Sequence, residues 1–67
     1  MKEHLVRSLL THAHGELEYH KANVRVYLDS PVGIGEHSDV MGAITDEIDR
    51  IAKYHDQVEV LEKYFVK

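Results

Sequence analysis

Asp29-Ser30-Pro31-Val32-Gly33-Ile34-Gly35-Glu36-His37-Ser38 decides the fold of this chain, because it holds the single proline and two of the four glycines and divides 67 helix-patterned residues almost in half. Pro31 has no amide hydrogen and biases Ser30 away from helical dihedrals, whereas Gly33 and Gly35 admit the positive φ angles of a tight reversal. The stretch therefore predicts one helix over about 2–29, a turn over 30–35 and a second helix over about 36–65. Two starts for the second helix remain open: Gly35 followed by Glu36, or Ser38 as N-cap followed by Asp39 in the first turn.

Working outward, Val6, Leu10, Ala13, Leu17, His20, Val24 and Tyr27 recur at alternating spacings of four and three, the seam of a packed helix, widened by Leu5, Leu9 and Leu28. In the second segment Met41, Ile44, Ile48, Ile51, His55 and Val58 repeat the spacing, flanked by Val40, Tyr54, Leu61 and Phe65. The expected fold is all-α: an antiparallel two-helix hairpin forming a single domain. Both apolar faces are too broad for one partner helix to cover. Two hairpins dimerising into a four-helix bundle would cover them.

A turn centred near Gly33 sets residue i of the first helix roughly opposite residue 66 − i of the second, which puts His20 near Asp46, His55 near Leu10, Gly42 near Val24 and Gly15 near Ile51. Glycine inside a helix costs about 1 kcal/mol relative to alanine. Close approach of the two helices at Gly15 and Gly42 is the reading that repays it; a kink or a ligand notch is the other.

Size makes self-association a further expectation, since a chain this short struggles to bury enough apolar surface alone. No cysteine is present, so neither a disulfide framework nor a thiolate zinc site is available, and a reducing cytosol is the weakly indicated compartment. No apolar run approaches the roughly 18 residues of a membrane span, and the N-terminal Met1-Lys2-Glu3-His4 does not read as a signal peptide. The net charge is −4. Acids and bases cancel over residues 1–35, while residues 36–67 carry eight acids against four bases. An acidic half and scattered bases disfavour nucleic acid as a partner.

Six histidines carry the only chemical promise: His4, His12, His14, His20, His37 and His55. Glu16 and His20 lie one helical turn apart, a spacing that could place an oxygen and a nitrogen on one metal, with Asp46 or Asp49 of the second helix completing the set. The Glu-x-x-His pairs of di-iron bundles are missing, as is His-Glu-x-x-His. A histidine paired with a carboxylate as a polar pin of the seam is the plainer reading. No nucleophile elbow or triad surrounds Ser8, Ser30, Ser38, Thr11 or Thr45, and Gly33-Ile34-Gly35 follows a helix and lacks the lysine of a phosphate loop. Tyr19, Tyr27, Tyr54, Tyr64 and Phe65 fit core and interface anchors better than stacking platforms for bases. Neither catalytic residues nor a cofactor are expected.

The run Glu18-Tyr19-His20-Lys21-Ala22-Asn23-Val24-Arg25-Val26-Tyr27-Leu28, then Pro31-Val32-Gly33-Ile34-Gly35-Glu36-His37, then Ile51-Ala52-Lys53-Tyr54-His55-Asp56 and Leu61-Glu62-Lys63-Tyr64-Phe65, resembles small uncharacterised proteins of marine contractile-tailed bacteriophages. The Pro-Val-Gly-Ile-Gly-Glu-His turn is its specific part. The resemblance implies a phage origin and expression in a bacterial cytoplasm, and it transfers no site residues. A protein-protein interaction or assembly module acting as a homo-oligomer is the expected function, with a virion or host protein as further partner. The alternative is a metal-binding bundle built on Glu16 and His20.

Overall fold

A computed structural model describes residues 2–29 and 37–66, leaving aside the side chains of residues 37 and 38. Its two helices, α1 (Lys2–Asp29) and α2 (His37–Tyr64), have 28 residues each and pack against one another; no strand occurs among the described residues. At 1.5 Å per residue each helix runs about 42 Å. His20 meets Glu47 while His12 meets Tyr54, so numbering falls along α1 as it rises along α2. The pair is antiparallel.

Neither helix contains proline, and the first-turn acids Glu3 and Asp39 and the last-turn Lys63 have the signs that the helix dipoles favour. Beyond Tyr64, the Leu61 carbonyl accepts from the Phe65 amide at 2.9 Å and the Val66 amide at 3.1 Å, which uses up a helix-end carbonyl without glycine. Ser38 already lies inside α2, so the later of the two expected starts is not used. The earlier one, with Pro31, Gly33 and Gly35, lies outside the described residues.

On α1 most of the expected seam is packed: Ala13 and His20 are buried and Val6, Leu10, Leu17 and Val24 half-buried, but Tyr27 and the widening Leu5, Leu9 and Leu28 are exposed, because one partner helix covers only a narrow stripe. On α2 the face is rotated from the expected one. Val40, Ala43, Ile44, Glu47, Ile51, Tyr54, Val58 and Leu61 turn toward α1, whereas Met41 and Ile48 are 56% and 47% exposed and His55 is exposed. Two polar contacts accompany this rotation. Glu47 binds His20 and Tyr54 stacks on it, bringing residues 47 and 54 into the seam and taking 48 and 55 out of it. His55 therefore does not face Leu10.

The glycine expectation is also corrected. A Cβ built on Gly15 or on Gly42 would meet nothing within 4 Å, and both residues are exposed, so neither marks a close approach of the helices. Ala13, 1% exposed, is instead the small residue at the contact. Burial is thin: Ala13, Val58 and His20 are the buried residues among those described, and the molecule measures 52 × 14 × 12 Å. Its radius of gyration is 15.4 Å, against about 11 Å for a compact domain of this length.

Candidate functional site

The best-formed polar cluster spans the middle of the helix seam. His20 is 8% exposed and holds Glu47 of α2 through Nδ1 and Oε1 at 2.6 Å. Because a carboxylate oxygen only accepts, Nδ1 carries the hydrogen and donates. The same Oε1 accepts from Asn23 Nδ2 at 3.1 Å, and Oε2 accepts from Arg50 Nη1 at 3.1 Å. On the other edge of the ring, Nε2 lies 3.4 Å from Glu16 Oε1, one helical turn back on α1.

Aromatic rings fix the imidazole in place. Tyr54 lies parallel to it, at 6.0 Å between centroids and an interplanar angle of 7°, and Tyr19 meets it edge-on at 5.0 Å. His12 in turn packs edge-on against Tyr54 at 6.2 Å, the position that the facing rule assigns. Donors crowding Glu47 hold its carboxyl below the ordinary value of 4.5: the His20 hydrogen bond contributes most, then that of Asn23, and together they outweigh the opposing effect of burial.

Sequence spacing brought Glu16 and His20 to one place, and the structure does the same. The acid opposite is Glu47, one residue beyond the expected Asp46; Asp46 and Asp49 are both exposed. The change of acid alters the chemistry available. Glu47 and Glu16 engage different nitrogens on different edges of the ring, so the two carboxylates clasp the imidazole instead of directing ligand atoms at one point. Convergent ligand atoms occur elsewhere among the described residues, on His55, Asp56 and Glu59, which lie within 4.8 Å of one another on the exposed face of α2. All three side chains are open to water, with His55 Nε2 3.8 Å from Glu59 Oε2.

Open grooves also occur among the described residues. One of about 580 Å³ lies at the free end of the hairpin between Val6, Arg7 and Leu10 of α1 and Phe65 and Val66. Another, of about 440 Å³, lies between Leu9 and His12 of α1 and Gln57 and Val60 of α2. Among the described residues no helix is long and apolar enough to cross a membrane. Comparison with protein-family models, curated proteins and solved structures gave no match to the chain.

Proposed function

We propose that this protein is a non-catalytic protein-protein interaction or assembly module that acts as a homo-oligomer. One observation carries the reading: large apolar side chains stand in water on both arms of the hairpin, among them Leu5, Leu9, Val26, Leu28, Met41, Ile48 and Phe65, each between 47% and 67% exposed. Exposed apolar surface on this scale marks an interaction site. The central polar cluster supports a structural role for itself, since both oxygens of Glu47 and both edges of His20 are already engaged within the chain. The resemblance to marine phage proteins supports a setting in the bacterial cytoplasm during infection, with the virion or a host protein supplying the further partner.

Sedimentation equilibrium of untagged protein, together with metal analysis of the same sample, tests this. A concentration-dependent mass above 7.7 kDa without stoichiometric metal is the expected result. A monomer at every concentration overturns the oligomer, and stoichiometric iron, manganese or zinc favours the metal-binding alternative.

A further inference from the structure

The apolar stripe of α2 is split along its length. Ile44 and Ile51 turn toward α1 and are half-buried, while Met41 and Ile48, seven residues apart and so on one side of the helix, face water. Leu17 of α1, like Ile44 and Ile51, is half-buried between the helices. The opposite flank is mixed: Leu9 is exposed there beside His12 and Val60, but it also carries a polar cluster. Asn23, Glu16 and Arg50 gather there around the His20–Glu47 pair, and water suits them.

We propose that a second copy of this chain covers the Met41–Ile48 flank, the two copies related by a two-fold axis and together forming a four-helix bundle. The proposal rests on the homo-oligomer reading above and assigns the face that it uses. Area argues for a copy as occupant. The chain exposes 5375 Å², whereas a compact monomer of 7.7 kDa exposes about 4,300 Å². The excess of about 1,000 Å² is close to the roughly 800 Å² that each partner buries in a standard interface. Charge agrees with self-contact, because helical spacing puts exposed Arg7 and Arg25, eighteen residues apart, on one side of α1 and exposed Glu62 fourteen residues on from Ile48 in α2, so a face turned on itself meets both signs.

The test compares wild-type protein, Ile48→Asp and Leu9→Asp by sedimentation equilibrium and circular dichroism. Wild type should be dimeric, Ile48→Asp should halve the mass, and Leu9→Asp, on the opposite flank, should leave it unchanged. A dimer that survives Ile48→Asp, or that dissociates only with Leu9→Asp, overturns the assigned face while leaving the oligomer intact. A monomeric wild type overturns the oligomer itself. Should Ile48→Asp unfold on dissociation, Ile48→Cys in this cysteine-free chain carries a nitroxide label without adding charge. Dipolar broadening that disappears on dilution with unlabelled protein is then expected, and narrow lines in the undiluted dimer would overturn the proposal.

Discussion

His20 of α1 and Glu47 of α2 are joined across the seam at 2.6 Å, and the join lies in the middle third of both helices. A polar pair there fixes which turn of α2 meets which turn of α1, because sliding by one turn would leave the carboxylate without its donor in a partly dry site. The apolar side chains around it are less discriminating.

The first prediction concerns acid. Glu47 titrates below its ordinary value when folded, so its contribution to stability is present above about pH 4.5 and is lost as pH falls through the lower folded value. Urea midpoints measured from pH 7 downward should fall in that acid window, and Glu47→Gln should flatten this part of the profile. A profile equally steep in both proteins would mean that other carboxylates govern the acid limb.

Replacing His20 separates the hydrogen bond from the packing. Glutamine can still donate to Glu47 and should cost about 1 kcal/mol. Alanine also vacates the space between Tyr19 and Tyr54 and should cost about 2–3 kcal/mol. Chemical denaturation with an unchanged m-value would establish both figures. Equal midpoints for wild type and alanine would show that the pair contributes nothing net.

Gly15→Ala and Gly42→Ala should each stabilise the protein by up to about 1 kcal/mol, since both positions are helical and a methyl group meets open space. The two gains should add, as the sites lie far apart. A loss at either position, seen as a lower urea midpoint, would point to a contact there with another molecule.

Ala13 should tolerate no enlargement. At 1% exposure it sits where the helices approach, and Ala13→Leu would push them apart or force strained rotamers, at about 1–3 kcal/mol. The thermal midpoint is the measurement; an unchanged value would show that the seam has room at this level.

Much of the hairpin was legible because helical periodicity is a local property. The spacing of Val6, Leu10, Ala13, Leu17, His20 and Val24 gave the packed face of α1, and arithmetic from the turn placed His20 within one residue of its partner. The face of α2 was not legible to the same degree. Met41, Ile48 and His55 share a stripe with Ile44, Ile51 and Val58, and hydropathy alone cannot say which edge of so broad a stripe meets α1. The interior glycines misled in the same way, for a residue without a side chain carries no record of whether its neighbour is a helix or water.

By itself, then, the sequence determined two helices, their direction and the central histidine, since these follow from chain-local dihedral preferences, apolar period and counting from the turn. Tertiary structure decided the rotation of α2. That choice depends on a geometry between two helices: only when they are docked do Glu47 and Tyr54 come within reach of His20, and only then do Met41 and Ile48 become the edge left in water.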